Sequence, residues 1–354
     1  MHITLKPLRE QTMVITGASS GIGLVTARKA AEEGARVVLA ARNGDDLSAA
    51  VESIRAKGGR AIHVVCDVAE PDQVDALAER AVSEFGGIDT WVNCAAVAIY
   101  GKWLEVPLPD ARRQFDVIYW GVVHGTLAAV RRMRERGSPA GGVGGGAVIN
   151  VACALADRAI PLQGNYCAAK FAVKAFTDSL RMELEAEGVP ISLTLVKPGS
   201  MDTPLFQKAR TFLGVEPQPI PPVYAPDVAA HAILHAAQRP MRDVIAGGMG
   251  KVVSLAEKLS PRITDKYMER TTFDSQKSAI EKPADAPANL HDQLPHDGGE
   301  RGHFQGRVRK WSAYTEAVLH PRAAAGILGG VGIAVAAGIR KLRHESNGKG
   351  GAEG

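Results

Sequence analysis

A doubly wound parallel α/β sheet of about seven strands, followed by a C-terminal extension, is the fold class this sequence predicts. Three observations predict it. Over the first 245 residues, short runs rich in Val and Ile alternate with longer helical patterns. The connections between them are short, which places helices on both faces of one sheet. A glycine-rich turn joins the first strand to the first helix. The strands, read as buried apolar runs, are Thr12–Thr16, Arg36–Ala40, Ala61–Cys66, Asp89–Asn93, Ala147–Val151, Ile191–Val196 and Asp243–Ala246. The helical patterns between them are Gly21–Glu33, Gly44–Ala56, Pro71–Phe85, Ala111–Arg136, Asn165–Glu187 and Ala225–Gln238.

Composition sets the frame. The 354 residues are long for one domain and short for two, so one large core with an appendage is expected. Apolar residues at 45% and charged residues at 23% suit a soluble globular chain whose core needs no disulfide or metal. The net charge of +4 offers no basic block apart from the C-terminal end, and no nucleic-acid partner is expected. Cys66, Cys94, Cys153 and Cys167 form no CxxC pair and have no His at ligand spacing. They read as buried reduced thiols of a cytoplasmic protein, with no metal site. No secretory signal precedes the first strand.

Two loops and a tail complete the organisation. Gly137–Gly146 reads as a flexible surface loop, and the proline-rich Asp202–Tyr224 reads as a lid at the C-terminal end of a strand. Residues 1–250 form the expected catalytic domain, 251–310 a helical and then polar linker, and 311–354 a tail. Within the linker, Lys251–Arg270 reads as helical and Thr271–Gly306 as loosely packed. In the tail, Ala323–Ile339 is uncharged for seventeen residues, with Arg322, Arg340, Lys341 and Arg343 around it. As a helix it would span about 25 Å, short of a hydrocarbon core of roughly 30 Å. The expectation is a membrane-associating segment tethering a cytoplasmic domain; a Gly/Ala-rich helix packed on another subunit, or a disordered tail, is the alternative.

The turn Thr16-Gly17-Ala18-Ser19-Ser20-Gly21-Ile22-Gly23 sits where a pyrophosphate is held. Glycines let backbone approach the phosphates, and the helix N-terminus presents unpaired N–H groups and a positive dipole end. At the end of the second strand, an acid would accept a ribose 2′-hydroxyl and favour NAD. The chain there reads Ala40-Ala41-Arg42-Asn43, and the Arg42 guanidinium suits a 2′-phosphate. The expected cofactor is therefore NADP(H) in preference to NAD(H).

These markers resemble the short-chain dehydrogenase/reductase family, whose Rossmann-type fold the match implies from Gln11 to Ala246. Thr16 to Gly23 is the family's glycine motif, and Asp67 in Cys66-Asp67-Val68 matches its adenine-contacting aspartate. Tyr166 and Lys170 match its Tyr-x-x-x-Lys pair, Pro198-Gly199 its turn after the sixth strand, and Thr203 its nicotinamide-amide partner. The resemblance implies cofactor contacts at Gly17, Ser19, Ser20, Gly21, Ile22, Gly23, Arg42, Asp67, Val68, Asn93, Tyr166, Lys170, Pro198, Gly199 and Thr203. It also implies a homodimer or homotetramer through the helices Ala111–Arg136 and Asn165–Glu187.

Three positions depart from the family's pattern. Asn93-Cys94-Ala95-Ala96 stands where the family has Asn-Asn-Ala-Gly. Cys153 occupies the place of the catalytic serine, thirteen residues before the tyrosine. Ile118 stands three residues before Gly121, where the family has a helix asparagine. Tyr166 and Lys170 share a helix face, and the lysine charge together with oxidised cofactor would favour the phenolate, making Tyr166 the acid/base and Lys170 its tuner. Cys153 is an imperfect stand-in for the serine, because a thiol is a weak hydrogen-bonding group. The function these residues imply is an NADP(H)-linked interconversion of carbonyl and alcohol on a small or lipid-like substrate. The alternative is a catalytically impaired NADP(H)-binding sensor or scaffold.

Overall fold

A computed structural model describes residues 3–136, 145–248 and 259–324. Seven parallel strands form the central sheet: β1 Thr12–Thr16, β2 Arg36–Ala41, β3 Arg60–Val65, β4 Thr90–Asn93, β5 Gly146–Val151, β6 Ile191–Pro198 and β7 Asp243–Ala246. Their order is β7-β6-β5-β4-β1-β2-β3. It reverses between β1 and β4, and a crevice opens beyond the strand C-termini at such a reversal. Buried on both faces, β1 carries Met13 and Ile15 into one core cluster and Val14 into the other. Helices α1 Gly21–Glu32, α2 Gly44–Ala56 and α7 Pro226–Gln238 pack on the first face. Helices α3 Pro71–Phe85, α5 Gly121–Glu135 and α6 Gly164–Ala186 pack on the second.

Local chemistry sets the element bounds. At the start of α2 the Asn43 side chain accepts the Asp46 N–H at 3.1 Å, and Asp45 and Asp46 sit in the first turn, where acids suit the dipole. Helix α3 ends at Gly86, which takes the left-handed conformation at φ 79°. The single helix expected over Ala111–Arg136 is instead α4 Leu108–Phe115, a π-turn at Asp116–Trp120, and α5. The extra residue of the π-turn lets consecutive side chains both face inward. Val117 joins the cluster under the sheet, and Ile118 joins a separate cluster with Tyr166.

The lid segment is tied down by short strands. Ile99–Tyr100 pairs with Arg210–Thr211, and Met201 bridges to Tyr224. The expectation of a loosely packed linker over Thr271–Gly306 is corrected. Helix α8 Pro261–Ser275 leads into a strand, Lys277–Glu281, that pairs antiparallel with Val215–Pro217. A strap over 282–303 follows, and Val308–Arg309 then pairs with Val223–Tyr224. The strap has too few apolar residues for a core of its own, but it docks on a finished surface through backbone carbonyls. Leu290, 1% exposed, enters the cluster beneath the second face of the sheet. Helix α9 Ala313–Leu319 then packs on α7, with His320 edge-on to His235 at 5.1 Å.

Residues 137–144 of the expected glycine loop lie outside the described residues, and Gly146 already belongs to β5. The expected membrane-associating segment also lies outside them from residue 325 onward. Among the described residues no helix is long and apolar enough to cross a membrane.

Candidate active site

The turn after β1 is shaped by what glycine lacks. Gly17 adopts φ 68°, and a Cβ there would stand 2.7 Å from the Ala95 Cα. A Cβ on Gly23 would stand 2.3 Å from the Gly17 carbonyl oxygen. Only backbone fits, so α1 begins flush against the turn; its first N–H, at Gly21, donates to the Gly299 carbonyl at 3.1 Å, and those of Ile22 and Gly23 have no intrahelical acceptor. Thr16 supports the turn from below, its hydroxyl accepting the Cys94 N–H at 3.1 Å.

Gly17, Ser19, Ser20, Gly21, Ile22 and Gly23 all line one crevice, together with Arg42, Asp67, Val68, Tyr166, Lys170, Pro198, Gly199 and Thr203. Asn93 does not join them. Its amide is taken up in the core, donating to Asn150 at 2.8 Å and to Thr126 at 3.0 Å and accepting from the Trp91 indole at 2.8 Å. A buried amide with partners on both ends braces β4 against β5 and α5 and has nothing left for a ligand. Of the cofactor residues expected from the sequence, Asn93 is thus the one whose side chain lies in the core and not in the crevice lining.

At the reacting end, the Tyr166 and Cys153 side chains pack in one cluster and both line the crevice. The Lys170 ammonium lies 5.7 Å from the Tyr166 ring centroid and donates to the Val151 carbonyl at 2.8 Å. Burial is the first influence on each group. It raises the Tyr166 phenol well above its usual range, with the Cys153 and Tyr100 groups adding to the effect. It lowers Lys170, while Cys153 and Cys94 pull the other way. It pushes Cys153 up to about 11, against Lys170 and the N–H groups of Leu155 and Ala156. Burial thus favours the neutral phenol of Tyr166 and the thiol of Cys153 in the crevice without a bound dinucleotide. Ile118, fully buried, packs in the same cluster as Tyr166, where the family's asparagine would be polar.

Several residues reach the crevice that the motifs do not mark. Tyr100 is buried at the Ile99–Tyr100 strand. Gln163, on the turn before α6, donates to Gln276 of the extension at 2.6 Å. Beyond Tyr166 the wall is mostly apolar, with Val97, Leu155, Ile160, Leu205, Phe206 and Ile220. Lys208 comes from the lid, and Asn289, Gln293 and Asp297 come from the strap. Lys208 and the strap residues carry no motif, and only the fold shows where the strap lands.

Known proteins bear on this geometry. The family model for short chain dehydrogenases matches residues 11–213. An uncharacterized oxidoreductase of Bacillus subtilis, YxnA, is 42% identical over 335 residues, 93% of this chain and 91% of that protein. A match of that extent runs through the strap. The 1-deoxy-11-beta-hydroxypentalenate dehydrogenase of Streptomyces avermitilis is 36% identical over 200 residues, 56% of this chain and 71% of that protein. Among solved structures, a short-chain dehydrogenase/reductase from Burkholderia phymatum, crystallised with NAD, superposes with a TM-score of 0.65 at 24% identity. It covers 73% of this chain and 96% of its own, and at that identity it speaks for the fold. The glycine turn, the Tyr166–Lys170 pair beneath it and the extent of these matches together make the chain an oxidoreductase of the short-chain dehydrogenase/reductase family.

Proposed function

We propose that the chain interconverts a carbonyl and an alcohol on an apolar, small or lipid-like substrate, with NADP(H) as hydride carrier. The observation that carries this reading is the buried Tyr166 side chain, packed with Cys153 and 5.7 Å from the Lys170 ammonium, in the same crevice as the glycine turn. The residues fit a dinucleotide. The turn leaves room only for backbone at Gly17 and Gly23, and the buried Asn289 Oδ1, in a crevice-lining residue, lacks a partner among the described residues. The glycine turn would hold the pyrophosphate, Arg42 a 2′-phosphate, Asp67 and Val68 the adenine, and Thr203 the carboxamide. When bound, the dinucleotide supplies or receives the hydride.

Tyr166 does the proton work. A neutral phenol is ready to donate to a carbonyl oxygen as hydride arrives, which suits reduction in the resting state. Lys170 holds positive charge near the phenolate that remains, and its bond to Val151 fixes it there. Cys153, packed beside Tyr166, offers a weak S–H donor to the substrate oxygen. The mostly apolar wall favours an apolar substrate. The Streptomyces relative, named for a hydroxylated pentalenate, supports such a class. Exposed Trp120 beside α5, and Phe171 and Met182 on α6, support a homodimer or homotetramer through those helices.

The test is NADPH oxidation with a panel of apolar aldehydes and ketones, native protein beside Tyr166→Phe. Native turnover should fall by about 10³-fold or more in the variant, within the range for a positioned acid/base. A second reading, a binding protein with impaired chemistry, is favoured by Cys153 and Ile118 at the serine and asparagine positions. Tight NADPH binding with turnover no higher than that of the variant would select it.

A further inference from the structure

The strap closes the crevice at its ribose corner, and it contributes more than a cover. Asn289 is 7% exposed and lines the crevice, and its Oδ1 has no hydrogen-bond partner among the described residues. A buried amide oxygen without a partner is destabilising unless a ligand supplies one. Asp297 is 8% exposed and also lines the crevice. Its carboxylate accepts the Ser19 hydroxyl at 2.5 Å and the Lys208 ammonium at 3.2 Å. Lys208 in turn donates to the Ser20 hydroxyl at 2.8 Å. Both serines belong to the glycine turn, so the strap and the lid are latched onto the phosphate cradle itself.

Arg42 stands at the same corner. Its guanidinium donates to the His291 carbonyl at 2.7 Å and to the Asn289 carbonyl. Two of its five N–H donors are thereby committed to the strap, and its nearest charged company includes Asp67, Asp297 and Asp292. The sequence rule for the ribose asks for an acid at the end of β2 and finds none. The fold brings an acid into the same crevice from a position 255 residues beyond Arg42: Asp297, held by Ser19 and Lys208.

We infer that Asn289 and Asp297 of the strap contact the adenosine half of the cofactor, and that Asp297 sets the choice between dinucleotides. Its carboxylate supplies the acceptor for a free ribose 2′-hydroxyl and opposes a 2′-phosphate, whereas the remaining donors of Arg42 favour the phosphate. The chain therefore accepts NAD(H) as well as NADP(H). This rests on the proposed reading that the crevice holds a nicotinamide dinucleotide.

Fluorescence titration of the full chain with NADH and with NADPH tests it, independently of any substrate. The two dissociation constants of the native protein should lie within about tenfold of each other. In Asp297→Asn, NADH should weaken by about tenfold or more and NADPH should tighten. Asn289→Ala should weaken both, and Arg42→Ala should weaken NADPH alone. Asp297→Glu, which keeps the charge, guards against a folding defect and should hold the native ratio within about threefold. If both nucleotides bind the native chain and Asp297→Asn leaves their ratio unmoved, the inference falls and the oxidoreductase reading stands. If neither nucleotide binds, the oxidoreductase reading falls and takes the inference with it.

Discussion

The turn at 16–23 and the strap at 289–299 meet at one end of the crevice and are held in place in opposite ways. The turn is fixed from within. Gly17 and Gly23 crowd against Ala95 and against each other so closely that a single added carbon would overlap backbone. The strap is fixed from without. Its carbonyls at Asn289, His291, Leu294 and Gly299 accept from Arg42, Asn43 and the Gly21 N–H. Arg28 pairs with Glu300 at 2.7 Å and His291 with Asp110 at 2.8 Å. A segment shaped from within leaves its mark in its own residues. A segment that docks through carbonyls leaves little, because every residue type has a carbonyl.

The largest effect should come from the turn. In Gly23→Ala the new Cβ would meet the Gly17 oxygen at 2.3 Å and the Gly17 carbonyl carbon at 2.8 Å. Both neighbours are backbone, so the turn must open and withdraw its N–H groups from the pyrophosphate. Affinity for NADPH and NADH alike should fall by about 100-fold or more, measured by fluorescence titration. Equal loss for both nucleotides would set the turn apart from Asp297, which should divide them. Native affinity in Gly23→Ala would show that the turn has slack the geometry denies.

The same contrast explains what could be read from the residues. Strand and helix periods placed β1, α2, α3 and β7 at their observed bounds, because a doubly buried strand and an amphipathic helix write their environment into their own spacing. The glycine turn and the Tyr166–Lys170 pair were legible for a related reason, since their chemistry is local. The core role of the Asn93 side chain was not legible, because an asparagine at a strand end suits a ligand and a core network equally well, and only the positions of Trp91, Thr126 and Asn150 show the network. The π-turn was hidden because Val117 and Ile118 both face inward for partners on different elements. Asp297 was invisible in a polar stretch whose meaning lies in the surface it meets.

A smaller effect should come from the reacting end. Cys153→Ser replaces a thiol with a stronger and shorter hydrogen-bonding group against Tyr166. Loss of one well-placed donor to a developing oxyanion costs about 10²–10³ in rate in other enzymes. A partial gain of about tenfold in kcat is therefore expected for the serine variant, with the KM for NADPH unchanged. A fall in kcat would mean that the crevice has been rebuilt around sulfur, with the cluster of Ile118, Leu155 and Tyr166 packed to fit the thiol.

The smallest effect concerns the far end of the extension, where α9 docks on α7. Burial holds His235 down at about 4, and Arg239, His320 and His231 add repulsion against its charged form. Glu316 is the one acid facing this group among the described residues, 3.5 Å from His231 and 3.8 Å from His320. Because the folded chain prefers neutral His235, its contribution is complete above the ordinary histidine value of about 6.5. That contribution is lost as pH falls from there through about 4. The Tm should therefore drop across this window more steeply in the native chain than in His235→Gln, which stays neutral throughout. The difference between the two curves isolates His235 from the carboxylates that titrate in the same range. Nucleotide affinity should follow the same difference only if the docking of α9 and that of the strap are one cooperative unit. Parallel Tm curves would mean that α9 is free to lift away before His235 takes up its proton, which would make the end of the extension the least firmly held part of the chain.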